Sequence, residues 1–347
     1  MPHGKKAQTG QAGDTQSGDH NNAMSRNTQR MPLMDLFPAI TPYSSGFLAV
    51  DATHNLYWEQ SGRPDGVPIL LLHGGPGAGA TPTHRRFFDP DHYRIVILDQ
   101  RGSGRSHPLG SLENNTRAHL VEDIETLRAH LQIERWHLFG GSWGSTLALS
   151  YAAEYPKRCL SMILRGIFLC ERDEIDWFLY GMQKIFPEAW EQFAGIIPEE
   201  EQDNLLQAYY TRLSGEDQNL QEEAAIRWAL YEGACSSLLP NYETITTAEQ
   251  KNHALALARI EAHFFQNEMI APENSLLNHA ATFKTIPSTI IQGRYDAICP
   301  IQTAHKLHQV WPEADYVVVP DAGHSALDPT MRSRLIEATE HAKTIRG

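Results

Sequence analysis

The run Phe139-Gly140-Gly141-Ser142-Trp143-Gly144 constrains this chain more than any other stretch. It fits G-x-S-x-G, a sharp strand-to-helix turn that holds a serine hydroxyl out at the end of a sheet. Glycines flank the serine because its backbone is strained there and neighbouring chain must pass close. The context fits as well. Trp136-His137-Leu138-Phe139 reads as a short buried strand, and Ser145 to Tyr155 reads as a helix stopped by Pro156. A glycine-rich turn around a serine is common in itself, so its weight comes from what surrounds it.

Upstream, the apolar run Ile69-Leu70-Leu71-Leu72 feeds His73-Gly74-Gly75-Pro76-Gly77. That is a buried strand followed by a glycine-rich loop, the local structure that lets backbone N–H groups approach a substrate oxygen. Downstream, Ser288-Thr289-Ile290-Ile291-Gln292-Gly293 leads into Arg294-Tyr295-Asp296, and Tyr316-Val317-Val318-Val319 leads into Pro320-Asp321-Ala322-Gly323-His324. A serine, an acid and a histidine, each following its own strand in that order, is the chain order of α/β-hydrolases. The expected chemistry is acyl transfer. Ser142 is the nucleophile, His324 takes its proton, and Asp296 holds the imidazole. The oxyanion hole is expected from the N–H of Trp143 and that of Gly75 or Gly74. Asp321, three residues from His324, is a rival acid; Asp296 is preferred because it follows its own strand.

The pattern changes after Leu164-Arg165-Gly166. Strand runs give way to helical stretches expected at Glu171 to Phe186, Glu199 to Leu213, Leu220 to Leu230 and Ala248 to Gln266. An insertion leaving the carboxyl ends of the strands would roof the serine. The expected architecture is therefore α/β, with a mostly parallel central sheet and an inserted all-helical cap domain. Residues 35–168 and 281–347 form the core in this reading, and residues 169–280 the cap. Residues 1–34 are polar, poor in large aliphatic side chains and without an apolar signal-peptide core, so a disordered tail is expected. Phe47 to Val50 and Asn55 to Glu59 suggest a first hairpin.

Composition excludes classes rather than choosing one. No apolar run approaches the roughly 18 residues of a membrane span. A net charge of −13 without a Lys/Arg block argues against nucleic acid or an anionic membrane as partner. Cys159, Cys170, Cys235 and Cys299 lack C-x-x-C spacing, which fits reduced thiols in a cytoplasmic protein. With no metal or nucleotide motif present, no cofactor is expected.

His73-Gly74-Gly75-Pro76-Gly77, Asp99-Gln100-Arg101-Gly102-Ser103-Gly104-Arg105-Ser106 and Gly140-Gly141-Ser142-Trp143-Gly144 together resemble the prolyl aminopeptidase (proline iminopeptidase) family. The resemblance runs on through Arg165-Gly166-Ile167-Phe168, Trp228 to Gly233 and Arg259 to Phe265. It implies a cofactor-free serine peptidase that removes N-terminal proline from peptides. It also implies that Glu232 and Glu261 bind the substrate's protonated amine, and that Phe168 and Phe265 grip the pyrrolidine ring, with Trp143 and Phe178 as further candidates. The physics agrees, because a charged terminal amine is what distinguishes a chain end, and buried carboxylates reject a group lacking it. Arg101 and Arg105 are read as loop stabilisers. Two positions depart from the family's Trp-x-x-Trp-Glu pattern and its surroundings: Tyr231 replaces a tryptophan and Cys235 a threonine. Cys235 and Cys299 raise the expectation of sensitivity to thiol reagents. The competing reading is a capped esterase, lactonase or amidase acting on neutral acyl groups, which gives no reason for two roof carboxylates. A protein that only binds a ligand would usually lack an intact triad.

Overall fold

The computed structural model describes residues 33–239 and 244–345, and the expected tail falls outside them except for Leu33 and Met34. From Leu33 onward the described residues belong to one compact unit. Its centre is an eight-stranded sheet in the order β1-β2-β4-β3-β5-β6-β7-β8. These are β1 (Ser44–Ala49), β2 (Asn55–Gly62), β3 (Val67–Leu72), β4 (Tyr93–Leu98), β5 (Trp136–Ser142), β6 (Cys159–Ile167), β7 (Ser288–Gly293) and β8 (Asp315–Val319). β1 and β2 form the expected hairpin and β2 runs antiparallel to β4; every later pair is parallel.

Strands buried on both faces need apolar side chains at successive positions. In β3, Leu70 and Leu72 enter one core cluster while Ile69 and Leu71 enter another, and β4 divides Val96 and Leu98 from Ile95 and Ile97 in the same way. That alternation explains why these strands read as continuous apolar runs. Helices α1 (Arg117–His130) and α2 (Trp143–Glu154) contribute to the first cluster.

Between β6 and β7 the chain is helical. α3 (Arg172–Asp176), α4 (Pro187–Ala194), α5 (Leu205–Ser214), α6 (Gln218–Ser236), α7 (Ala248–Asn267) and the short α8 (Ala280–Phe283) make up the insertion. α9 (Ile301–Val310) and α10 (Pro329–Ala342) complete the core, the latter burying Met331, Leu335 and Ile336 on the second face. α6 starts at Asp217, whose carboxylate accepts from Asn219 N and Leu220 N. α7 starts with a Thr247/Gln250 capping box, which satisfies two otherwise orphaned N–H groups.

The helix expected over Glu171 to Phe186 is instead three pieces. α3 passes into a π turn at Trp177–Gly181 and a 3-10 turn at Met182–Lys184. Gly181 lies under the Trp177 ring, where an added Cβ would come within 2.3 Å of it, and Trp177 Nε1 donates to Ala297 O at 2.7 Å. Docking that indole onto the core accompanies the break in the regular helix. The stretch expected from Glu199 likewise begins as a 3-10 turn at Glu199–Asn204 and becomes helical at Leu205, capped by Asn204. No helix among the described residues is long and apolar enough to cross a membrane.

Candidate active site

Ser142 ends β5 with φ 57° and ψ −129°, a backbone region that costs a side-chain-bearing residue about 1–3 kcal/mol. The close approaches that impose this turn account for the motif's glycines. A Cβ on Gly140 would fall 2.2 Å from Gly144 O, and one on Gly144 would fall 2.2 Å from Leu72 O. Ser145 Oγ donates to Ser142 O at 2.7 Å and fastens the elbow from below.

His324 lies in the loop after β8 and Asp296 in the loop after β7, both buried. His324 Nδ1 is 3.0 Å from each carboxylate oxygen of Asp296. Asp296 also accepts from Cys299 N at 2.8 Å and from Gln292 Nε2 at 3.1 Å, so its carboxylate is held on both oxygens. The rival, Asp321, is exposed and makes no hydrogen bond to His324. Ser142 Oγ is not within hydrogen-bond reach of His324. It lies 4.0 Å from Cys299 Sγ. Such bonds commonly tighten only when substrate is bound.

Several residues that frame this group carry no recognisable chemical signature in the sequence. Gly166, at φ 55°, makes room for the pair: a Cβ there would lie 3.1 Å from His324 Cε1 and 3.3 Å from Asp296 Oδ2. Arg165 Nη1 donates to His324 O at 2.6 Å, and its guanidinium occupies the space a Gly141 side chain would need. Gln292 accepts from Ile167 N at 3.0 Å while donating to Asp296. Only the position of Gln292 one turn before Asp296, at a strand end, hints at its use.

The His73 to Gly77 loop faces the elbow. A Cβ on Gly74 would come within 3.5 Å of Ser142 Cβ, and Gly75 has φ 106°. Asp99 accepts from Ala80 N and from Arg105, and Arg105 also reaches Glu59. Arg101 is bidentate to Asp123. Both arginines thus tie their loop to neighbouring elements, Arg101 to α1 and Arg105 to β2.

The cap closes on the site from two directions. Ser236 O, at the end of α6, accepts from His324 N at 3.1 Å and Ser325 N at 3.0 Å. α7 lies on the glycine-rich loop, with Leu257 3.3 Å from where a Gly75 Cβ would be. A cleft of about 460 Å³ between α4, α6 and α7 has Leu257, His253 and Tyr231 in its wall.

Glu261 on α7 is buried and accepts from Trp228 Nε1 at 2.6 Å. Glu232 on α6 is half-buried as a residue, yet its Oε2 is sealed from solvent and without a partner. The two carboxyls lie close enough to influence each other's ionisation. Burial raises both above the usual carboxylate range, and the charge of Glu232 raises Glu261 further. Two carboxyls so placed resist being ionised at the same time. Aromatic rings stand beside them: Phe168 and Phe265 at 5.9 Å between centroids, Phe178 and Phe265 at 5.9 Å, and Phe178 and Trp228 at 5.4 Å. Phe168 is tied to the elbow helix, its N–H donating to Ser145 Oγ and its carbonyl accepting from Thr146. Tyr231 stacks on Phe193 and donates to Phe178 O at 2.8 Å, so it braces an aromatic wall.

A serine on such an elbow, under a helical cap, defines the class: residues 67–329 match the family described as alpha/beta hydrolase fold. The chain is 50% identical over 315 residues to the proline iminopeptidase of Arabidopsis thaliana, covering 90% of this chain and 83% of that one. It is 48% identical over 307 residues to the proline iminopeptidase of Xylella fastidiosa, covering 88% and 98%. The chain belongs to the proline iminopeptidase family. A solved proline iminopeptidase-related protein from Thermus thermophilus shares the fold, with TM-score 0.54 and 24% identity over 87% of this chain and 98% of that one.

Proposed function

We propose that this protein is a serine aminopeptidase that releases N-terminal proline from short peptides. His324 takes the Ser142 proton as Oγ attacks the prolyl carbonyl, while Asp296 holds the imidazole tautomer and offsets the imidazolium charge. The N–H groups of Trp143 and Gly75 receive the developing oxyanion. Collapse of the tetrahedral intermediate expels the peptide amine, protonated by His324, and leaves a prolyl-enzyme ester. Water, activated by the same imidazole, hydrolyses it. In this reading residues 35–168 and 281–347 perform the chemistry, and the 169–280 cap chooses the substrate.

The observation that carries the substrate assignment is the enclosed Glu232/Glu261 pair with an unpartnered oxygen beside Phe168 and Phe265. A protonated secondary amine satisfies the carboxylates, and a five-membered apolar ring fills an aromatic slot. The Leu257-walled cleft offers room for the peptide beyond its first residue. Four free cysteines support a reducing, cytoplasmic setting.

The test compares Glu232→Gln and Glu261→Gln on a prolyl arylamide and on a simple aryl ester. Loss of one charge-assisted hydrogen bond, about 1.5–3 kcal/mol, predicts roughly a 10- to 150-fold fall in kcat/KM on the amine substrate. The ester should change little. Equal losses on both would return the enzyme to the neutral acyl class.

A further inference from the structure

The Asp99-Gln100-Arg101-Gly102 stretch has no part in the reaction above, yet buried Gln100 lies between the two halves of the oxyanion hole. Its Oε1 accepts from Trp143 Nε1 at 2.9 Å, and its Nε2 donates to His73 O at 2.9 Å. Its backbone N–H donates to His73 Nε2 at 3.0 Å. Chemistry fixes every orientation in this set. An indole N–H only donates and a carbonyl only accepts, so the Gln100 oxygen faces Trp143 and its nitrogen faces His73. A ring nitrogen that accepts has no proton, so the His73 proton is on Nδ1, which lies 2.9 Å from Gly74 O. Burial favours this neutral form. The bonds therefore run unbroken from the Trp143 indole through Gln100 and His73 to the Gly74 carbonyl.

We propose that Gln100 and His73 are positioning residues that hold the two oxyanion donors at a fixed separation, a role that rests on the serine-peptidase reading. The Gly74–Gly75 peptide is trans, so its N–H points opposite to its carbonyl. Capturing Gly74 O through His73 Nδ1–H sets the direction of the Gly75 N–H. Capturing the Trp143 indole steadies the residue whose own N–H is the other donor, and that ring is already wedged edge-on against Phe264, 4.7 Å between centroids. An oxyanion hole accelerates reaction only as far as its dipoles are in place before the charge develops. One amide side chain answering to both halves supplies that rigidity. No proton moves through the set.

The test uses Gln100→Met, which keeps the shape and removes the amide, in the full-length chain with a prolyl arylamide. Loss of an oxyanion donor outright costs about 100- to 1000-fold, so loosening both predicts at least a tenfold fall in kcat with KM within about twofold. Prolyl boronic acid, which makes a tetrahedral adduct with the serine, should lose affinity by the same factor as kcat. Affinity for the product proline should not move. Trp143→Phe keeps an aromatic ring and removes the indole N–H; it should show the same split, and the double variant should be no worse than the poorer single one. If Gln100→Met does not fold, as judged by near-UV circular dichroism, Trp143→Phe carries the same readouts alone. Unchanged kcat, or equal losses for boronate and proline, would overturn the proposal. Wild-type turnover separates the two ideas. If the wild type cleaves aryl esters but not prolyl arylamides, the peptidase reading fails, and the clamp is judged on the ester with an alkyl boronic acid.

Discussion

Ser142, Glu232 and Cys299 each occupy a position that carries a physical cost. The strained backbone of Ser142 lifts its hydroxyl clear of the sheet. Glu232 gives up solvation for an enclosed place beside a second carboxyl, and its pKa rises from 4.5 to about 7. The unfolded chain ionises this group near its ordinary value, so ligand-free stability falls as pH rises from about 4.5 through about 7. Glu232→Gln should therefore melt above the wild type at pH near 8, with the gap closing at pH near 4.5. Thermal denaturation at the two pH values checks this, and a gap independent of pH contradicts it. Cys299 Sγ lies 4.0 Å from Ser142 Oγ, and burial holds both its thiol and that of Cys235 above the ordinary range. Thiolate formation is thereby suppressed, so inactivation by a small alkylating reagent should be slow and should quicken with rising pH. Cys299→Ser should abolish it; sensitivity surviving in that variant places the reactive thiol elsewhere.

Parallel strands deliver their following loops to one end of the sheet, and the loops after β3, β5, β6, β7 and β8 meet there. Those loops were legible because each follows an apolar run and carries a residue with a chemical signature. Gly166, Gln292 and the Arg165 guanidinium were not legible as functional, since their value lies in what they touch across the fold. The break in the first cap helix was hidden for a similar reason: Trp177 answers to Ala297, distant in sequence. Arg165 links β6 to the histidine loop through His324 O, and Gly141 leaves it room. Arg165→Met should lower kcat about 10- to 100-fold, the scale of a small displacement of a reacting group, with Arg165→Lys recovering part. Gly141→Ala, which puts a methyl within 2.5 Å of Arg165 Nη2, should reproduce the defect. Steady-state kinetics with full activity in Gly141→Ala would contradict this link.

At the scale of the whole molecule, the core and the cap divide the task but share hydrogen bonds at the site. The end of α6 holds the histidine loop, while α7 presses on the oxyanion loop and carries Glu261 and Phe265. On the proposed function, substrate choice and catalytic geometry are thus built on the same two helices. On the same proposal, the roof reads a free, charged amine while the core performs acyl transfer. Its most direct test is hydrolysis of aminoacyl arylamides, each with its amine free or acetylated, by the wild type and by Ser142→Ala. The expected result is preferential cleavage of free prolyl arylamide, abolished both by acetylation of the amine and by loss of the Ser142 hydroxyl. Equal turnover of free and acetylated prolyl substrates would contradict it.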